Sequence, residues 1–437
     1  MKTLNTMKMR HSAASLAVAA AFLASCTMTA FAQSGESTPT GITIPSSSNA
    51  SGDGIGEAVH TNLLILGQGA MSGTPMTAGP PFPGYFYETP ASLACIYGLQ
   101  PAVAGCNPNS TTLNPKGGAK AIAIVDAFDH ANAFADLHYF SAQFGLTQIT
   151  PATFKVVFAP HGGATPGSCV GAGTRPPSGV PTGWTLEESL DIEWAHAMAP
   201  AAILYLVEGQ SNSYADLLCA VSVAGALVNL AGGGEISMSW GSGEFPAEVT
   251  FDHVFTAPGV VYLASSGDGA GAFYPSSSPN LISVGGTTLT MNPATGRFEN
   301  ESVWQYTGGG LSRYEARPSY QNRIAGIVGA HRGTPDISSD ANPFTGVWVF
   351  DSVTVGRPAW FIVGGTSLSS PMWAGILNAQ GVTYASSQAA LTHLYGSGES
   401  LHDITRGICG PYMSQSAGEG WDLCSGLGSP RRHEGDD

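Results

Sequence analysis

Charge is scarce in this sequence. Asp, Glu, Lys and Arg supply 11% of its 437 residues, against about 25% in an ordinary soluble domain. Positive charge is scarcer still: 16 Lys and Arg face 31 Asp and Glu, a formal net charge of −15. Such a chain offers no basic stripe to phosphates, which argues against a nucleic-acid partner. Beyond the N-terminal region, no run approaches the ~18 consecutive apolar residues of a spanning helix. No C-x-x-C pair occurs, so zinc is a weak explanation of the cysteines. No internal repeat is present. What the chain does have is glycine, 57 residues, and a 43% hydrophobic fraction. That excludes a wholly disordered chain and allows a large core.

The first residues read as an address. Lys2, Lys8 and Arg10 precede an apolar run over residues 12–23, too short to span a membrane. Ala30-Phe31-Ala32 is a small-x-small cleavage site, so 1–32 is expected to be a signal peptide of a secreted or periplasmic protein. Leu23-Ala24-Ser25-Cys26 competes as a lipobox, with a lipid anchor at Cys26. Of the seven cysteines, six lie beyond Cys26. An even set in an exported chain implies disulfides. Sequence proximity suggests Cys95–Cys106, Cys169–Cys219 and Cys409–Cys424.

Residues 33–84, rich in Ser, Thr, Gly and Pro, read as a flexible leader. From residue 85 apolar strand-type runs appear at 119–125, 153–158, 202–207, 236–240, 260–264 and 281–284. Helical stretches at 131–144, 186–199 and 214–224 lie between several of them, and another is expected over 369–384. Strands alternating with helices predict an α/β fold with a mainly parallel sheet covered on both faces. One domain over 85–430 and a short tail, 431–437, complete the expected organisation.

Three segments carry chemistry. Thr185 and Glu188 have the spacing of a capping box, which predicts a helix start. Glu187 and Asp191 are four apart on that helix and share a face. Like charges at that spacing repel, and Leu190, Trp194 and Met198 place them beside buried surface. Burial and mutual repulsion would let the two share one proton. Two solvated acids at a helix N-terminus satisfy the same spacing. The second segment is Gly364-Gly365-Thr366-Ser367-Leu368-Ser369-Ser370-Pro371. Two glycines permit a tight turn, Ser367 stands at a helix start, and Pro371 is expected in the first turn. The third, Ser265-Ser266-Gly267-Asp268, is on its own an ordinary turn after a strand.

Taken in order, these segments resemble the sedolisin, or serine-carboxyl peptidase, family of the subtilisin-like superfamily. The resemblance runs from Tyr87-Glu88-Thr89-Pro90 to Gly426-Leu427-Gly428-Ser429-Pro430. It includes Ala199-Pro200-Ala201-Ala202 after the acidic helix, Ser237-Met238-Ser239-Trp240-Gly241, Ser302-Val303-Trp304 and Gly308-Gly309-Gly310-Leu311-Ser312. It implies a subtilisin-like, doubly wound fold. It implies peptide or protein substrates and a serine-type endopeptidase or tripeptidyl-peptidase that works in acid. Ser367 would be the nucleophile, Glu187 the general base and Asp191 its partner. A protonated Asp268 would donate to the oxyanion. Extended substrate would pair near residues 239–243.

The resemblance also implies one structural calcium ion. Its ligands would be the carboxylates of Asp403 and Asp422 and the carbonyls of Ile404, Gly418 and Gly420. Two features depart from the family. The stretch 33–86 is short and polar for a pro-domain, and Asp126 stands where relatives often have Glu. Two rivals remain: a neutral subtilisin using Asp126, His161 and Ser367, and a non-catalytic binding protein on a protease scaffold.

Overall fold

The computed structural model describes residues 41–49, 58–66, 79–101, 104–180, 183–396 and 401–430. The expected signal peptide, the Cys26 anchor and the tail lie outside them. The central sheet runs, from one edge, Phe298–Val303, Ile282–Met291, Val260–Ser265, Gly234–Met238, Ala121–Ala127, Ile203–Gly209 and Phe154–Phe158. Every pairing along this row is parallel except the first, which is antiparallel. Ile337–Asp340 also pairs parallel to Ile282–Met291.

Strand alternation builds two cores. Ile122 and Ile124 pack with Leu186, Leu190, Leu368 and Met372 in one apolar cluster. Ala121, Ala123 and Val125 pack with Leu217, Leu218 and Val221 in the other. Successive side chains point to opposite faces, so helices Trp184–Met198 and Thr366–Ala379 cover one face and Tyr214–Leu230 the other. The doubly wound, mainly parallel α/β fold expected from the sequence is therefore present. The helix Trp184–Met198 is buried along its whole length, far beyond the one-sided burial that its spacing implies.

Local expectations differ in four places. The helix begins at Trp184 after Gly183 at φ 97°. Thr185 is thus inside it, bonded through Oγ1 to Thr354, and no capping box forms with Glu188. The serine helix begins at Thr366, so Pro371 is inside it. A proline removes the N–H that would meet the carbonyl four residues back; the Ser367 carbonyl instead accepts from Ser239 Oγ at 3.1 Å. The helix Tyr214–Leu230 is longer than expected and is capped by Ser213, whose side chain accepts from the Asp216 N–H.

The fourth difference is the stretch read as a flexible leader. Its residues 41–49, 58–66 and 79–84 are built into the body. Leu64–Leu66 joins the sheet formed with Ala359–Gly364, and His60–Thr61 pairs with Trp240–Gly243. The apolar run Leu63-Leu64-Ile65-Leu66 supplies the burial that a polar linker lacks.

The three expected disulfides, Cys95–Cys106, Cys169–Cys219 and Cys409–Cys424, are formed. Among the described residues no helix is long and apolar enough to cross a membrane.

Candidate active site

The site gathers at the carboxyl ends of the parallel strands, where open α/β sheets leave a crevice. Asp126 stands near the end of strand Ala121–Ala127. Ser239 follows Gly234–Met238, and Asp268 follows Val260–Ser265. Strand Ala359–Gly364 runs through Gly365 into the helix that starts at Thr366. Gly365 has φ 97°, open to glycine at no steric cost. A Cβ there would overlap the Asn62 carbonyl oxygen and lie 2.6 Å from Asp268 Oδ2.

Ser367 is fully buried. As the second residue of its helix, it has an N–H with no helical partner. That N–H donates to the Asn62 carbonyl at 3.2 Å. Ser367 Oγ accepts the Asn62 N–H at 3.0 Å and donates to the Ser239 carbonyl at 3.2 Å. The acidic helix lies against the serine helix because Gly375 lets them approach. A Cβ at Gly375 would sit 2.6 Å from Met198 Cβ and 2.8 Å from the Ala195 carbonyl oxygen.

Glu187 and Asp191 are both fully buried. Burial raises both carboxyl pKa values well above their usual range, and the charge of Asp126 adds to each shift. The neighbouring hydroxyls of Ser367 and Thr61 work the other way at Glu187, although neither of its oxygens has a hydrogen-bond partner. Asp126, also buried, is pushed up to about 8 by desolvation, and neither of its oxygens finds a hydrogen-bond partner. Ser239 Oγ lies 3.0 Å from Asp191 Oδ1. A hydroxyl has one proton. If it goes to the Ser367 carbonyl, Asp191 must be the donor to Ser239. That arrangement suits a protonated Asp191.

Asp268 Oδ1 accepts the N–H and the hydroxyl of Thr366, each at 2.8 Å. Its Oδ2 is buried without a partner. Desolvation raises its pKa to about 7 against the hydrogen bonds from Thr366. A neutral carboxyl with a free oxygen is a hydrogen-bond donor in waiting.

His161 is elsewhere. It lies on an exposed two-strand hairpin, 3.4 Å from Asp216 Oδ1. The rival Asp126–His161–Ser367 set is therefore not assembled. Sequence reasoning missed Asn62, Ser265 and Thr366, and left Asp126 without a role. The run after Asn62 was the available signal, since an apolar run inside a polar stretch needs a place to be buried. It also missed a buried cluster of His130, Asp136 and Asp351, in which His130 Nε2 is 3.6 Å from each carboxylate.

At the C-terminal end Asp403 and Asp422 approach one glycine loop. Gly420 N–H donates to Asp403 Oδ2 at 2.8 Å, and Gly418 N–H to Asp422 Oδ2 at 3.1 Å. Asp403 Oδ1 is buried and unpartnered, an orphan lone pair that a hard cation would satisfy. The Cys409–Cys424 disulfide braces the same segment. The residues present fit a calcium ion.

The fold and site together define a class: a subtilisin-like α/β domain whose serine faces carboxyl groups where a subtilisin would present a histidine. No protein-family model matches the chain. Kumamolisin of Bacillus sp. (strain MN-32) is 33% identical over 298 residues, which cover 60% of this chain and 52% of that protein. Sedolisin of Pseudomonas sp. (strain 101) is 31% identical over 283 residues, covering 56% and 47%. The structure of Pseudomonas sedolisin, a serine-carboxyl proteinase complexed with two molecules of pseudo-iodotyrostatin, aligns with a TM-score of 0.62 at 26% identity. That alignment covers 79% of this chain and 95% of the sedolisin chain. By sequence and by fold the chain is similar to members of the sedolisin family. It spans about half the length of the curated relatives it matches.

Proposed function

We propose that this protein is an exported, acid-acting serine-carboxyl peptidase. One observation carries the reading: a buried serine at a helix start sits among buried carboxyl groups, with Asp268 Oδ2 unpartnered beside it. Ser367 Oγ attacks the peptide carbonyl and forms an acyl-enzyme. Glu187 takes its proton and returns it to the leaving amine. The acid group of Asp126, Glu187 and Asp191 titrates in coupled steps. The first ionisation falls on Glu187, where the neighbouring hydroxyls of Ser367 and Thr61 offset part of the upward shift. Asp191 keeps its proton and orients the base through its place one turn along the helix. Protonated Asp268 and the Ser367 N–H stabilise the oxyanion.

Calcium belongs to the same reading. Asp403 and Asp422, with the carbonyls of Ile404, Gly418 and Gly420, would hold one ion, which supplies a structural cross-link. Disulfides and the positively charged, apolar N-terminus favour export.

The test is cleavage of a denatured protein between about pH 3 and pH 8, with Ser367→Ala as control. An acid optimum lost in the variant is the expected result. A neutral optimum abolished by His161→Ala would replace this mechanism with the subtilisin one. Folded, calcium-loaded protein that cleaves nothing would leave the binding-protein reading.

A further inference from the structure

The acidic helix is held from two sides. Glu187 and Asp191 lie toward Ser367 and Ser239. Ser189 is two residues from each of them, and so about 200° around the helix. Thr185, Ser189 and Glu193 recur every fourth residue and share that other face. All three are fastened to one short stretch, the end of strand Val347–Asp351 and the turn after it. Thr185 Oγ1 bonds Thr354 Oγ1 at 2.8 Å, Ser189 Oγ bonds Asp351 Oδ2 at 3.3 Å, and Glu193 Oε2 accepts the Phe350 N–H at 3.0 Å. A helix clamped along one stripe cannot roll, so this stripe fixes the direction in which Glu187 and Asp191 point.

The middle of the stripe is held by a relay that runs in one direction. The Asn132 N–H donates to His130 Nδ1 at 3.3 Å. A backbone N–H can only donate, so Nδ1 is the acceptor of the ring and Nε2 carries its proton. Nε2 lies 2.8 Å from Ser189 Oγ. Ser189 accepts there and gives its own proton to Asp351 Oδ2. Asp351 Oδ1 accepts the N–H groups of Val353 and Thr354, which shapes the turn. With both ring nitrogens engaged in this way no lone pair is left for a metal ion, so the group of His130, Asp136 and Asp351 is a hydrogen-bond hub. The His130 N–H also donates to Glu208 Oε1 at 3.2 Å. His130 stands on the loop that leaves strand Ala121–Ala127, four residues after Asp126. The ring thus ties that loop to the acidic helix.

We propose that His130 is a positioning residue: as a neutral imidazole it locks the rotation of the acidic helix through Ser189, and its protonation unlocks the helix and sets the acid limit of activity. The proposal rests on the peptidase reading above. An imidazolium carries an N–H on both nitrogens, and the one on Nδ1 would oppose the Asn132 N–H. The relay then loses its first link, and the loop and the helix lose their common anchor. The surroundings decide how far into acid the neutral ring survives. Burial lowers the His130 pKa, while the charges of Asp351 and Asp129 raise it. Asp136 and Asp351 each place an Oδ2 at 3.6 Å from Nε2. Asp136, on the helix Ala133–Phe144, is pushed up to about 6 by desolvation; in acid it is neutral and no longer favours the cation. Burial also pushes Glu208, on strand Ile203–Gly209, up to about 8. It holds Glu188 and Glu193 of the acidic helix well above the usual carboxylate range. Asp129 is paired with Arg175 at 3.4 Å. In acid the ring therefore sits among mostly neutral carboxyls and stays neutral below the ordinary histidine value of about 6.5.

The experiment has two arms. In the first, Ser367→Ala protein carrying isotope-labelled histidine is titrated by NMR, and His130→Gln on the same background identifies the His130 signals. A neutral ring with its proton on Nε2 is expected at about pH 5, where exposed histidines are cationic. A cationic ring there, or a proton on Nδ1, overturns the proposal. In the second arm kcat and KM are followed with pH in variants of the active enzyme. Ser189→Ala breaks the relay and should lower kcat about tenfold at the optimum, with KM nearly unchanged. His130→Ala should do the same. His130→Gln keeps an acceptor and a donor that do not titrate, so it should restore most of the lost kcat and move the acid limb to lower pH. A Ser189→Ala enzyme that loses only Tm, or an acid limb unmoved in His130→Gln, overturns the positioning role and leaves the peptidase. Folded protein that cleaves nothing overturns both.

Discussion

At the scale of single residues the site is governed by where protons sit. In the proposed mechanism Asp268 acts only when neutral, and its pKa, raised to about 7, keeps it so in acid. Asp268→Asn keeps a donor that no longer titrates. The alkaline limb of the kcat profile is expected to move upward in this variant. Asp268→Ala should lower kcat by about 10²–10³-fold. A pH profile unchanged in Asp268→Asn would remove Asp268 from the oxyanion role. Ser239 is the other informative residue, because it joins Asp191 to the carbonyl freed by Pro371. Ser239→Ala leaves that carbonyl unpaired, at a cost of about 1–3 kcal/mol. Denaturant unfolding and kcat should both register the change.

At the scale of elements, two contacts decide the geometry. The first is the close crossing of the acidic and serine helices at Gly375. Gly375→Ala would press a methyl group on Met198 and push the helices apart. Overpacking of this kind costs about 1–3 kcal/mol, so a lower Tm with a reduced kcat and a nearly unchanged KM is expected. The second is the loop that carries Asp403 and Asp422. Chelator should lower the Tm of wild type, and Asp403→Ala should show a reduced Tm that chelator no longer changes. Wild type indifferent to chelator would count against calcium.

At the scale of the whole molecule, burial of acids sets the pH range. Glu88, Asp126 and Glu208 are raised to about 8 and Glu235 to about 7, each chiefly by desolvation. In the unfolded chain such groups titrate near 4. A raised folded pKa means that the folded state holds extra protons between the two values. Stability from these groups is complete below about pH 4 and is lost as pH rises through about 7 to 8. A Tm measured from pH 4 to pH 8 should therefore fall, by roughly 10 °C or more. A Tm that climbs toward neutrality would show that these carboxyls ionise at ordinary values.

Much of this was legible in the sequence. The alternating strand and helix runs follow from periodicity, because a side chain's face is set by its spacing alone. The Glu187–Asp191 pair, the Gly-Thr-Ser corner and the cysteine neighbours are likewise local patterns. What the tertiary structure decided involves residues far apart in the chain. Asn62 reaches Ser367 across 305 positions, a distance that no local pattern encodes. The capping box at Thr185 was locally plausible and did not form, since Gly183 starts the helix earlier and packing claimed both side chains. His161 had the right chemistry but lies on a surface hairpin beside Asp216. The depth of acid burial was also invisible, because spacing places two carboxyls on one face without saying what covers it. Residue type and spacing thus determined the fold class and the reactive groups. Only three-dimensional packing decided which groups meet and which lose water.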